Sequence, residues 1–439
     1  MKRWILGLLL GCTPILWSQA PAQEVVLSTS AGSKLGIAVP RPAVSGIGEE
    51  QVNRELHDTL LRDLDEAGPF AVLRDRQPIG GDASNLKAWI ETGTDWLVTL
   101  KAGRPAADGS DKAARVIPDE VEVVVQVMDV KSSKAVFTKK YRGKDAAMRR
   151  IAHSLADDLV ARLTGEKGVA ATRIVFVRQL TPLIKEIFQI DRDGSSAVQV
   201  THHKSLTLSP TVAADGRVAY MTYKGGPPEI WGQTKPGGAF EKLFPGKGGP
   251  QGPCMAPAWS PNGKRIVFVQ GDKRGNTDIM VLDVETGRVR RLTDSNCINT
   301  EPSWNPAGTQ IAFTSDRGGS PQVYLMEEDG SNVRRLTVEG AYNASPSWSP
   351  TGAMIAYVSR FEGKFDLFVY KLGEGKSYQI TTGVASSESP DWSPDERRLV
   401  FSSGSMGGMQ LYTTDLSGNT LRRLTEFSGC QSPKWTRSR

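Results

Sequence analysis

One block of sequence recurs along most of this chain, and it leaves few folds open. From Cys297 to Thr337 it carries four short extended runs: Pro302-Ser303-Trp304, Gln310–Thr314, Gln322–Glu327 and Val333–Thr337. Turn residues separate them, at Asn305-Pro306-Ala307-Gly308, Asp316-Arg317-Gly318-Gly319 and Glu328-Asp329-Gly330. Short runs rich in Val, Ile, Phe and Tyr, closed by Gly, Pro, Asn and Asp, are the sequence form of a strand meander. A single meander of this size cannot cover both faces of its sheet, so it needs copies of itself as neighbours.

The copies are present. Trp259, Trp304, Trp348, Trp392 and Trp435 follow one another at 45, 44, 44 and 43 residues, each with a proline two residues before it. A sixth copy, Ser209-Pro210-Thr211-Val212, carries Val212 at the tryptophan position. The second run appears six times, led by Ile174, Val218, Ile266, Ile311, Ile355 and Leu399. A period near 44 with four strands per unit is that of a β-propeller. The first unit starts at Thr172 with its second strand, and the chain ends just after a spare first strand at Pro433-Lys434-Trp435. The expected fold is therefore a six-bladed propeller over 172–439, closed by pairing of the C-terminal strand into the first unit, which removes open edges. The arginine pairs Arg290-Arg291, Arg334-Arg335 and Arg422-Arg423 fall on outermost strands, where charge discourages edge pairing.

Ahead of the ring the pattern changes. Leu35–Pro40, Phe70–Leu73, Asp95–Lys101, Glu120–Val130 and Lys134–Arg142 read as strands. Helices are expected over Glu49–Asp65, with Val52, Leu56, Leu60, Leu61 and Leu64 at helical spacing, and over Leu86–Thr92. A last helix, capped by Asp145, carries Met148, Ile151, Leu155, Leu159 and Leu163 and ends at Gly165. Residues 23–165 thus form a small N-terminal α/β domain, joined to the propeller by a short linker at 166–171 that should keep the two domains in contact.

The N-terminus reads as a removable leader over 1–22. Lys2-Arg3, an apolar run from Trp4 to Trp17 and Ala20-Pro21-Ala22 are the three parts of an export signal. Leu9-Leu10-Gly11-Cys12 resembles a lipoprotein box, but the apolar run continues past Cys12 into the ordinary cleavage site. The mature chain is expected to be exported, soluble, monomeric and without a transmembrane segment. A net charge of +6 over 439 residues does not indicate nucleic acid. Cys254, Cys297 and Cys430 each lie just ahead of a first-strand tryptophan; Cys254 and Cys297 precede adjacent blades, so an export-compartment disulfide between them is open.

Catalytic patterns are missing from the sequence. There is no Gly-x-Ser-x-Gly elbow, phosphate loop, dinucleotide fingerprint or HExxH. His57 and His153 lie on the long helices as packed or solvated positions, and His202-His203 lies in a connector. No cofactor or metal is expected. What a propeller offers instead is a ring of loops around a central mouth. Leu208, Met255, Thr300, Ala344, Glu388 and Gln431 take equivalent places four residues before the tryptophan position. One residue earlier come Thr207, Cys254, Asn299, Asn343, Ser387 and Cys430. Loops that differ on strands that repeat are where recognition is expected.

Taken together, the exported leader, the small α/β domain, Thr172-Arg173-Ile174-Val175-Phe176-Val177 and six PxWSPxG-type units resemble the TolB family. These are the periplasmic propeller proteins of the Tol-Pal cell-envelope system of Gram-negative bacteria. Asn299-Thr300-Glu301-Pro302-Ser303-Trp304, Ile311–Asp316, Pro321-Gln322-Val323-Tyr324 and Leu163-Thr164-Gly165 carry the likeness most specifically. The resemblance implies a non-catalytic periplasmic adaptor supporting outer-membrane integrity and constriction at cell division. It implies that the propeller mouth binds the peptidoglycan-associated lipoprotein Pal, with Asn299, Thr300 and Glu301 as the matched residues. Met255, Asn343, Glu388 and Gln431 follow from their places in the repeat. It further implies that the segment from Glu24 to Ser33, starting Glu24, Val25, Val26 and Leu27, engages TolA. The alternative is an exported propeller enzyme, a lyase or hydrolase acting on envelope polysaccharide with its site in the funnel.

Overall fold

The computed structural model describes residues 34–437, apart from 75–84, 106–118, 246–251, 295, 362, 384 and 406–407. The expected leader and the TolA-contacting residues Glu24, Val25, Val26 and Leu27 lie outside the described residues.

The first domain is one mixed sheet backed by helices. Strands β1 (Leu35–Ala38), β2 (Ala43–Ser45), β3 (Phe70–Val72), β4 (Trp96–Gly103), β5 (Glu120–Asp129) and β6 (Lys134–Lys144) pair in the order β3-β1-β4-β5-β6, with β2 also on β4. Helix α1 (Glu49–Val52) passes through a π-turn at Asn53–His57 into α2 (Asp58–Ala67), followed by α3 (Leu86–Glu91) and α4 (Met148–Thr164). The apolar stripe of α1–α2 and that of α4 bury against Val121, Val123, Val125 and Val127. Leu56, Leu60 and Leu64 are fully buried, each contributing about 2 kcal/mol of burial. The smaller α3 covers the opposite sheet face through Trp89, against Leu97 and Val130.

Asp145 is not the cap of the last helix. Its carboxylate turns to Arg104 at the end of β4, in a bidentate pair of 2.6 and 2.8 Å. A bidentate pair with a guanidinium offers two parallel bonds and an opposite full charge, and the end of β4 brings Arg104 within reach. The helix starts instead with a turn of 3-10 helix at Asp145–Ala147.

Six four-stranded antiparallel sheets make the ring. Five are led in chain order by the inner strands Thr207–Val212, Cys254–Trp259, Asn299–Trp304, Asn343–Trp348 and Ser386–Trp392. The sixth joins the C-terminal strand Cys430–Trp435 to β7 (Arg173–Thr181), β8 (Ile184–Asp191) and β9 (Val198–Gln199). The ring closes as the repeat register requires. Each tryptophan seals the seam to the preceding blade: Trp304 packs with Val267, Ile279 and Val281 as well as with Ile311 and Phe313 of its own sheet. The seams are tight at the hairpin turns as well. A Cβ on Gly194 would lie 2.4 Å from the carbonyl oxygen of Leu424 in the adjacent blade, so only glycine fits.

The N-terminal domain is fastened to one face of the ring. Buried Asp157 of α4 accepts the amides of Ala170 and Ala171 at 2.6 and 3.1 Å, pinning the connecting segment to the helix. The β8–β9 turn then enters between α2 and α4. Asp193 accepts Arg62 and Arg149, each at 2.7 Å, while Arg192 reaches Asp63 and Glu66 at 3.2 and 3.0 Å. Arg398 and Arg422 converge on the same Glu66. The arginine pairs are thus more than edge protection: Arg422 holds the domain, and Arg290 bonds the carbonyls of Asp329 and Glu328 in the next blade. His57 and His153 are both buried; His153 Nδ1 lies 2.5 Å from Asp63.

Candidate functional site

The proline two residues before each tryptophan position shapes the inner wall of the ring. Proline has no N–H for the ladder and disfavours a right-handed helical conformation in the residue before it, so it belongs at a bulge. In every blade the register of the innermost strand shifts there. The residue before each proline is left-handed: Ser209, Ala256, Glu301, Ser345, Ser389 and Ser432 have φ between 45° and 55°. None is glycine, so each costs about 1 kcal/mol of strain. Together these bulges line a central channel of about 180 Å³.

The channel has two unlike ends. Trp435 pairs with Ile174 and Arg173 pairs with Asp191, so the tryptophan ends of the strands share a face with the hairpin at Asp193. That face carries the N-terminal domain. Cys430 pairs with Arg178 at the other end, which opens as the mouth. Around it stand the exposed apolar side chains Leu180, Leu183, Tyr223, Ile298 and Val338.

Asn299, Thr300, Glu301, Met255, Asn343, Glu388 and Gln431 all come together around this mouth, but not in equivalent surroundings. Asn299 is fully buried; its amide group donates to the Thr277 carbonyl at 2.9 Å and accepts Arg317 at 2.8 Å. Asn343, also buried, donates to Gln322 at 2.8 Å and to the Glu339 carbonyl at 2.7 Å. Both tie an inner strand to the preceding blade. Met255, Thr300, Glu388 and Gln431 are half-buried, and Gln431 accepts Lys185 at 2.9 Å. Glu301 bridges two blades, accepting Thr314 Oγ1 at 2.9 Å, the Ser345 amide at 2.8 Å and Ser345 Oγ at 2.7 Å. Burial, and then the nearby Glu301 carboxylate, hold the Glu388 carboxyl above its ordinary value. Burial and the same two carboxylates raise the Tyr342 hydroxyl, which places these three groups in one acidic corner.

Deeper in the channel Asp391 accepts Ser347 Oγ at 3.0 Å, the Trp435 amide at 2.7 Å and Lys434 at 3.3 Å. Among the described residues no group of three His, Cys, Asp or Glu is placed to hold a metal ion, and no helix is long and apolar enough to cross a membrane. Among the described residues Cys254, Cys297 and Cys430 form no disulfide, so the pairing of Cys254 with Cys297 left open by their spacing is not made. The strand repeat did not reveal the cationic side chains beside the channel, Arg178, Lys185, Lys204 and Lys224. They lie in the divergent unit around Val212 and in the closing blade, where the copies align least well.

A closed propeller with one face covered by its own domain and the other bulged and chemically varied defines a scaffold of the propeller-protein class. The TolB beta propeller domain family matches residues 160–439. The chain belongs to the TolB family. The Protein TolB homolog of Chlorobium chlorochromatii (strain CaD3) is 34% identical over 318 residues, spanning 70% of this chain and 68% of that protein. The Tol-Pal system protein TolB of Anaeromyxobacter dehalogenans (strain 2CP-C) is 32% identical over 256 residues, 56% of this chain and 54% of that one. The crystal structure of TolB from Acinetobacter baumannii superposes with a TM-score of 0.73 at 25% identity, covering 92% of this chain and 97% of that chain.

Proposed function

We propose that the mature chain is a non-catalytic periplasmic adaptor of the Tol-Pal system. In this reading the open mouth binds the peptidoglycan-associated lipoprotein Pal and the segment beginning at Glu24 engages TolA. The adaptor thereby supports outer-membrane integrity and envelope constriction at division. The observation that carries the reading is the asymmetry of the ring. One face is occupied by the N-terminal domain, while the other exposes Leu180, Leu183, Tyr223, Ile298 and Val338 around the rim of the ring. Exposed apolar side chains grouped on a rigid rim mark a protein-binding surface. The channel carboxylates support a structural part over an acid–base one, since Glu301 and Asp391 are engaged across blade seams.

A pull-down from solubilised envelopes tests it, with residues 23–439 as bait. Recovery of a peptidoglycan-associated lipoprotein is the expected result. Its consistent absence, with the bait folded, overturns the adaptor reading and makes polysaccharide turnover the next assay.

A further inference from the structure

The rim of the mouth is uneven. On the side of Asn299 the polar groups are already spent: Glu301 has three hydrogen bonds, and Arg317 is held by Asn299 and Ser315. On the side of the closing blade the cations have neutral partners only: Lys185 donates to Gln431 at 2.9 Å, and Arg178 and Lys224 lie over the rings of Phe427 and Trp231. Arg178, Lys185, Lys204 and Lys224 form no ion pair among the described residues, and Lys204 and Lys224 are exposed. Backbone contacts draw the four into one sector. Arg178 pairs with Glu186, Lys185 bridges Leu206, and the amide of Tyr223 donates to the Leu206 carbonyl at 3.0 Å.

The acids within that sector do not neutralise it. Buried Glu186 is engaged by Thr201 Oγ1 at 2.5 Å and by the Lys204 amide at 2.6 Å. Glu229 takes Lys242 at 3.2 Å and the Trp231 indole at 2.9 Å. Between the cations stand Leu183, 78% exposed at the tip of the β7–β8 hairpin, and Tyr223, 37% exposed. Solvated charge beside exposed apolar surface is what a partner can still desolvate and pair; groups bonded within the ring have little more to give.

We propose that the main docking surface of the mouth is this sector, Arg178 to Lys224, and that its partner presents an acidic segment carrying an apolar side chain. The proposal rests on the adaptor reading and names the chemistry of the partner's contact. The acidic segment approaches Lys185, Lys204 and Lys224, and its apolar side chain covers Leu183 and Tyr223. The loop at Asn299 to Glu301 serves as scaffold.

Calorimetric titration of the mature chain with the soluble domain of the peptidoglycan-associated lipoprotein tests this. The triple variant Lys185→Glu/Lys204→Glu/Lys224→Glu should bind about tenfold or more weakly and lose most of its salt dependence. Leu183→Ser should weaken binding at every salt concentration. The milder Lys204→Gln/Lys224→Gln pair changes only exposed side chains, so a loss of affinity with an unchanged melting curve reports the docking charge and not misfolding. Undiminished binding by both lysine variants overturns the sector assignment while leaving the adaptor role standing. A wild-type chain that does not bind this domain overturns the adaptor reading, and the sector with it.

Discussion

Arg192 and Asp63, 129 residues apart in the chain, meet at 3.2 Å in a contact where the guanidinium is 5% exposed and the carboxylate not at all. The contact joins the propeller to the N-terminal domain, and Glu66 and His153 complete its shell. Removing one member of such a pair leaves the other charge buried and uncompensated. Arg192→Ala should therefore cost about 3–5 kcal/mol, read as a fall in the denaturant midpoint. Arg192→Met with Asp63→Leu removes both charges and should recover much of that loss. A single variant as stable as wild type would mean that the interface carries no coupled load.

Asp193 gives the same interface its pH dependence. Burial pushes this carboxyl up, but the Ser195 hydroxyl and amide, with His153 and Arg149, outweigh it and bring the pKa down to about 2. A depressed carboxyl stabilises the fold fully above its unfolded value, near 3.9, and loses that contribution as pH falls through about 2. The contribution is on the order of 2 kcal/mol. Asp193→Asn should thus lower the thermal midpoint at pH 7 and converge with wild type near pH 2. Parallel melting curves across that window would exclude the ion pairs to Arg62 and Arg149 as its source.

The ring was legible because its rule is local and repeated. A proline two residues before a tryptophan encodes the inner bulge, and the bulge recurs in every blade, including the one where Val212 replaces tryptophan. The helices and strands of the first domain were legible for a similar reason, as their apolar spacing matches the faces they bury. What stayed hidden depends on distant partners. Nothing around Asp145 announces Arg104, and nothing in a repeated Arg-Arg pair tells Arg422 from Arg334. Only the docked domain, through Glu66, separates them. Asn299 and Asn343 read as mouth residues by position. The strand pleat turns their side chains into the blade seam instead, while Thr300, one residue after Asn299, and Met255, one residue after buried Cys254, keep to the rim.

Glu301 behaves as a strut between blades. Its three hydrogen bonds are charge-assisted, and truncation leaves the Ser345 amide without its carboxylate. Glu301→Ala should cost about 1–3 kcal/mol of stability, whereas Thr300→Ala next to it should change the thermal midpoint little. Equal midpoints for both variants would return Glu301 to the role of a free surface acid.

The thiols should separate by burial. Cys254 and Cys430 are fully buried, and burial pushes them up to about 12 and about 11. The thiolate is the nucleophile, so both should be inert in the folded protein at pH 8, while half-buried Cys297 reacts. Mass spectrometry after maleimide treatment should find the label at Cys297 in the mature chain, and at all three positions after unfolding. Early labelling of Cys254 would show that its blade opens locally.

Glu388 works against the fold at neutral pH. Burial and the neighbouring Glu301 disfavour its charged form, so its folded pKa lies above the unfolded one. For a carboxyl shifted in that direction stability is lost as pH rises from the unfolded value through the folded one. Glu388→Gln keeps the shape and removes the charge. It should raise the thermal midpoint at pH 7 slightly, the half-exposed position keeping the gain small, and have no effect near pH 3. A variant less stable than wild type at pH 7 would mean that the carboxylate has a favourable partner in the channel that outweighs Glu301.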